Sequence, residues 1–372
     1  MWPLVGVVLA AVGGLGPAAV LAGAERLAED RVDEARAAPV QALKRGSWLV
    51  VPVPVANPTV GNGLQLAILY LHPKTEDDAD SPQTTSGIGA MATDTHSRLV
   101  GAFHDASYLD DRFRLSAFGG RGRFNLTYYG IGDAAVPARS VSYAFDGTAG
   151  QIRVDARVPA TAHWFVGLTY LLLESKVAFK TAEPAPGLPD LAGITRSAAL
   201  GAQVTYDSRD SNYFPTKGRY ARLRWMDYGV RWGGDREYSK GDLFFNHYLP
   251  LGTQWIAAFR GRLQSASGST PFWDLPTLDM RGFSRDRYRD NYTASLTAEG
   301  RWKFSPRWGL VAFAEAGRFA PTMDTLSDGR TIGSVGGGLR WQVTADRDMN
   351  IGLDFAISSD DRAVFIQIGE RF

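Results

Sequence analysis

The stretch "DMRGFSRDRYRDNYTASLTAEGRW", Asp279 to Trp302, decides the fold. Its first half is a dense knot of arginines and aspartates. From Tyr292 it becomes a regular alternation. Tyr292, Ala294, Leu296, Ala298, Trp302 and, just beyond, Phe304 share one face; Thr293, Ser295, Thr297, Glu299, Arg301 and Lys303 share the other. A period of two is the signature of a strand. One face suits an apolar surrounding. The other carries both signs of charge beside a loop of more charge, which no conventional apolar core accepts.

The same pattern recurs along the chain. In "QIRVDARVP", Ile152, Val154, Ala156 and Val158 oppose Arg153, Asp155 and Arg157. In "ARLRWMDYG", Leu223 and Trp225 oppose Arg222 and Arg224. In "WIAAFRGRLQ", Trp255, Ala257, Phe259 and Leu263 oppose Arg260, Arg262 and Gln264. Ile351, Leu353, Phe355 and Ile357 alternate with Gly352, Asp354 and Ala356. Gly, Pro, Asn and Asp separate the runs, as turns require. Half-buried strands occur in soluble sandwiches and in membrane barrels, and alternation alone does not separate them. Strands recur without a helical domain, and aromatics cluster near segment ends (Tyr128, Tyr129, Phe244, Phe245, Tyr248, Trp302, Trp308), where rings suit a lipid interface. The expectation is an all-β, transmembrane antiparallel β-barrel with a polar lumen. At roughly 9–11 residues per crossing, plus turns, the chain has room for about 16 strands.

The first 24 residues carry no charge and end Ala22-Gly23-Ala24. They read as a signal peptide over 1–24, although the leading residues lack Lys or Arg; an uncleaved membrane helix is the alternative. Residues 25–47 form a short polar segment, and 48–372 the barrel. Such a chain is directed to the outer membrane of a Gram-negative cell. Lys plus Arg number 40 against 39 Asp plus Glu, which argues against nucleic acid as a partner. With no cysteine, disulfides, thiolate metal sites and lipid attachment at cysteine are excluded.

The chain resembles the Omp85 superfamily, also called bacterial surface antigen D15 or BamA/TamA-like outer membrane proteins. "LVVPVPVANPTVGNGLQLAILY", Leu49–Tyr70, looks like the family's opening strand, and "YYGIG", Tyr128–Gly132, is similar to a segment of its short members. "TYDSRDSNYFPTKGRY" matches an Asp-x-Arg-Asp…Pro-x-x-Gly segment through Asp207, Arg209, Asp210, Pro215 and Gly218. Arg281, Gly282 and Phe283 match the family's Arg-Gly-Phe/Tyr motif, and "EGRW" and "FAEAG" its Glu-x-Arg and Phe-x-Asp-x-Gly strands, with Glu315 for the usual Asp. The closing "IGERF" resembles a terminal assembly signal ending in Phe372.

The resemblance implies 16 strands and a long loop folded into the lumen. Arg281 would be its tip, and Glu299, Phe313 and Glu315 the inner wall that receives it. It implies assembly of outer membrane proteins or lipid, or translocation, with membrane lipid, a client or periplasmic partner, and the machinery that inserts the barrel itself as partners. Two departures stand out: "PTLDM" replaces the Gly pair that often precedes the motif, and too few residues precede the first strand for a POTRA domain. A passive pore and a barrel hydrolase remain alternatives.

No cofactor or metal is expected. The histidines His72, His96, His104, His163 and His247 form no tight cluster in sequence, and "GGRGR", Gly119–Arg123, lacks the Lys-Ser/Thr ending of a phosphate loop and reads as a turn. The expectation is a non-enzymatic barrel. A catalytic serine would need a histidine on a neighbouring strand, and the linear sequence does not reveal such a pairing.

Overall fold

The computed structural model describes residues 46–73, 84–132, 140–180, 193–210, 214–344, 347–359, 361–368 and 370–372. The expected signal peptide and nearly all of the polar segment lie outside the described residues. Among the described residues sixteen strands follow in chain order: β1 (Ser47–Asn57), β2 (Gly61–Leu71), β3 (Thr85–Thr93), β4 (Arg98–Tyr108), β5 (Phe113–Tyr128), β6 (Val141–Arg157), β7 (Trp164–Phe179) and β8 (Ile194–Asp207). Then come β9 (Gly218–Tyr228), β10 (Tyr238–Pro250), β11 (Trp255–Gly268), β12 (Tyr292–Trp302), β13 (Trp308–Ala320), β14 (Ile332–Thr344), β15 (Arg347–Ser358) and β16 (Arg362–Ile368). Each pairs antiparallel with its neighbour in one sheet, which curls into a barrel and brings β16 back beside β1.

The alternation of side chains settles which face looks where. Leu223 is 57% exposed and Leu296 68%, whereas Arg222 between its apolar neighbours is 1% exposed. Ile152 and Val154 face out while Arg153 and Asp155 are buried. The apolar face looks outward and the charged face inward, the inverse of a soluble sandwich and the arrangement a lipid surrounding selects.

Three sequence expectations change. Leu49–Tyr70 is a hairpin of β1 and β2, not one strand; the turn at residues 58–60 begins at Pro58, and Gly61 takes φ +87°, which favours glycine. "GGRGR" lies inside β5, where Gly119 pairs Gly150 and Gly120 pairs Gly101, so the glycines serve a close approach of backbones rather than a turn. Tyr128, Phe244 and Tyr248 point into the lumen rather than to a lipid interface; Tyr128 packs on Phe272, Phe244 on Tyr220, and Tyr248 near Phe372. Trp302 and Trp308 do lie on the outer side, beside Trp255 and Trp341.

Candidate functional site

The loop between β11 and β12, residues 269–291, folds into the lumen and rests on two feet. The first is Phe272 and Trp273. Phe272 stacks with Phe179 and meets Tyr128 and Tyr143 edge-on, while Trp273 lies near Phe145. The second is a cluster of Leu278, Met280, Phe283 and Tyr288 against Phe319 of β13 and Ile332 of β14. The second foot is carried on a small hairpin of the loop's own. Thr277 pairs with Arg289, and Leu278 N–H donates to the Tyr288 carbonyl. Arg289, fully buried, donates to the Phe272 carbonyl at 2.8 Å and ties the first foot to the hairpin.

Arg281 sits at the tip of that hairpin with no exposed surface. Its Nη1 donates to Glu299 Oε2 at 2.9 Å and to Asp354 Oδ2 at 3.1 Å, and its Nε to Glu315 Oε1 at 3.2 Å. Its backbone N–H donates to the other oxygen of Glu315. The guanidinium lies 3.3 Å from the centre of the Phe313 ring. Thus Arg281 is gripped by β12, β13 and β15 through one planar fork, a geometry lysine does not reproduce. Burial alone would lower the Arg281 pKa; Glu315, Glu299 and Asp354 outweigh it and raise the pKa above the ordinary arginine value. Gly282 takes φ +98°, and a Cβ there would meet Ser334 Cβ at 3.1 Å. Phe283 meets Tyr288 edge-on at 4.9 Å.

The periodicity placed Glu299 on the polar face and Glu315 on the same side as Phe313. It did not identify Asp354 as a partner, although Asp354 alternates with Leu353 and Phe355. It also missed the counter-charges behind these acids. Arg301 donates to Glu299 at 2.8 Å, and Arg340 binds Asp354 and donates to Glu370 at 2.8 Å. Ser334 and Thr297 hydroxyls donate to Glu315.

The C-terminal tail does not extend the last strand. Phe372 does not continue the outward face of the last strand. β16 ends at Ile368, and the tail turns into the lumen. Glu370 joins Arg340 and Asn350, Arg371 donates to Asp279 at 2.9 Å, and the Phe372 carbonyl accepts from Arg301. The Phe372 ring lies over Arg260, 4.4 Å from guanidinium to centroid. Arginines at this end draw in the tail's acid and its aromatic ring together. Asp279, two residues before Arg281, also receives Arg262 at 3.2 Å, so one carboxylate joins wall, loop and tail.

The Asp207 segment stands apart from the Arg281 wall. Arg209 forks onto Asp207 with both bonds at 2.9 Å and stacks on Tyr220. Asp210 accepts from the Thr216 and Lys217 backbone N–H groups. Gly218 takes φ +104°, with Ser208 O 2.2 Å from where a Cβ would lie. These residues staple the connection from β8 to β9. Pro215, whose carbonyl accepts from Arg301 at 3.3 Å, joins this segment to the lumen network.

Two histidines far apart in sequence meet in the structure: His72 and His104 both reach the hydroxyl of Ser86 on the outer face of β2 to β4.

Among solved structures the chain is similar to BamA from Haemophilus ducreyi lacking POTRA domains 1–3, with TM-score 0.56 and 16% identity over 87% of this chain and 69% of that one. It is also similar to CdiB from Acinetobacter baumannii (TM-score 0.56, 11% identity, 87% and 59%) and CdiB from Escherichia coli (TM-score 0.58, 11% identity, 87% and 62%). The chain therefore spans less than two thirds of either CdiB chain. No curated protein sequence matches it. The Omp85 superfamily domain matches residues 67–371, the span that holds β3 to β16, the lumen loop and its acidic wall, and by that match the chain belongs to the Omp85 superfamily.

Proposed function

We propose that this chain acts in the outer membrane of a Gram-negative cell, in the assembly of membrane protein or lipid or in translocation, and that its working part is the seam between β1 and β16. The observation that carries this reading is Pro52 and Pro54. The β1–β2 ladder is unbroken from Ser47 to Asn57. An unbroken ladder needs N–H donors, so the odd-numbered residues must hold it, and the two proline nitrogens turn toward β16. Two donors are therefore missing from the β1 side of the seam. At about 0.5–1.5 kcal/mol per bond, the seam is weaker than its neighbours by about 1–3 kcal/mol. A seam that opens more readily than the rest of the barrel gives a client strand, or a lipid, a place to enter.

The partners follow from this reading: membrane lipid around the barrel, a client or periplasmic protein at the seam, and the cell's barrel assembly machinery for the chain's own insertion, with Phe372 in its terminal signal. A passive pore fits less well, because the loop and the tail are both bonded across the lumen.

The test is client folding in liposomes. The chain should accelerate folding of a reporter barrel, and P52V/P54V, which restores both donors, should slow it several-fold toward the unassisted rate. Equal rates would reject the seam. A steady, sizeable conductance that survived loss of residues 269–291 would favour the pore.

A further inference from the structure

We infer that Ser86 and His104 form a serine acyl-hydrolase site on the outer wall of the barrel, acting on the ester bond of a glycerophospholipid, with His72 as the positioning residue. The inference is independent of the seam.

Two histidines converge on one hydroxyl: Ser86 Oγ lies 2.8 Å from His72 Nε2 and 2.8 Å from His104 Nδ1. Ser86 and His104 are directly opposed across the β3–β4 ladder, so their approach is fixed by strand register, not by a loop. A serine hydroxyl donates one hydrogen bond, so one histidine accepts its proton and the other donates to it. If both rings take the Nε2–H form, the more stable tautomer of a neutral imidazole, the roles follow. His72 Nε2–H donates to the oxygen, and the bare His104 Nδ1 accepts the proton. Burial and the adjacent His104 ring lower the His72 pKa, which disfavours its charged form. Tyr70 packs edge-on against His72 at 4.7 Å and further limits its rotation.

The position suits an ester. Trp48, Tyr70, Ser86 and His104 form one row across β1 to β4. The row lies one residue in from the strand ends at Ser47, Leu71 and Thr85, where Trp and Tyr mark the boundary of water and hydrocarbon. Glycerophospholipid esters lie at that depth. Further along the same outward face, Ile88 is 56% exposed and offers a surface for an acyl chain.

The reaction balances with water alone. Ser86 Oγ bonds to the ester carbonyl carbon as its proton passes to His104 Nδ1. Collapse of the adduct breaks the bond to the glycerol oxygen, which leaves with that proton. Water then attacks the acyl-serine, giving its proton to His104, and the fatty acid departs as Ser86 regains its hydrogen.

The folded barrel, in liposomes of phosphatidylethanolamine and phosphatidylglycerol, should release fatty acid, and a fluorophosphonate probe should add its mass to the peptide carrying Ser86. S86A should abolish both. H104A should reduce release by about 100-fold or more, the usual share of a general base. H72Q, which keeps a donor at the same reach, should retain several-fold more turnover than H72A; equal loss in both would deny His72 its positioning role. Labelling of the wild-type chain does not depend on whether a variant folds. No release from wild type, release that persists in S86A, or no probe on Ser86 would overturn the site.

Discussion

Arg281 shows how one side chain can fix a whole loop. A buried guanidinium and the acids around it lose hydration, so the network adds little net stability over an apolar contact of equal shape; its value lies in allowing one position for the loop. Removing one partner is different. R281A leaves buried Glu315 with hydroxyl donors and no cation, takes one of two arginines from Glu299 and from Asp354, and should lower the unfolding free energy by about 3–5 kcal/mol, read as an earlier loss of heat-resistant migration on a gel. R281K should fall between, because it keeps the charge and loses the fork. Unchanged migration in R281A would show that the acids find other partners. A second residue-scale prediction concerns Asp111, in the turn from β4 to β5. Burial alone would raise its pKa, but bonds from Arg114, Ser107 and Arg157 hold it below the ordinary value. A depressed folded pKa stabilises above the unfolded value of about 3.9 and ceases to do so as pH falls through the folded one. D111N, which keeps a residue tolerant of φ +61°, should therefore be less stable than wild type at neutral pH. The gap should close below about pH 4 in acid titrations of tryptophan fluorescence.

Among the elements, strands were legible in the sequence and their ends were not. Alternation such as Arg222-Leu223-Arg224-Trp225 fixes the strand and, once the surrounding is lipid, the outward face, because a one-residue slip would put two arginines into lipid. Aromatic residues carry no such sign. Tyr128 and Tyr248 suit a lipid boundary by composition, yet they fill the lumen, since a ring is at home beside Phe272 or an arginine as well. The meeting of Ser86 with His104 depends on register across a hairpin, which turn length sets and periodicity does not. The Arg-Gly-Phe resemblance pointed to Glu299, Phe313 and Glu315, but Asp354 carries no comparable signal, and the likeness of "IGERF" to a terminal signal does not say that the tail turns inward. The tail is the element whose removal is most informative. Deleting Glu370 to Phe372 takes the acid from Arg340 and the ring from Arg260. The truncated barrel should show raised, noisier single-channel current in planar bilayers; a trace like that of the full chain would mean that the tail does not obstruct the lumen.

For the whole molecule, inside and outside are exchanged relative to a soluble protein. Spin labels at Leu223 and Leu296 should report acyl chains, while a label at Ser295 should report a polar, hindered interior. Water-like signals at the first two sites would contradict a membrane-facing outer wall.

The two-footed loop has a consequence for how such a barrel comes into being. Its first foot needs Tyr128, Tyr143 and Phe179, and its tip needs Glu315 and Asp354. Hairpins laid down early present an inner surface with nothing yet to meet, and the last strands arrive carrying acids that await a cation. The crossbeam's contacts are therefore complete only once the final staves are in place, and a chain halted before β15 would be an unfinished shell lacking one of the acids on its central arginine.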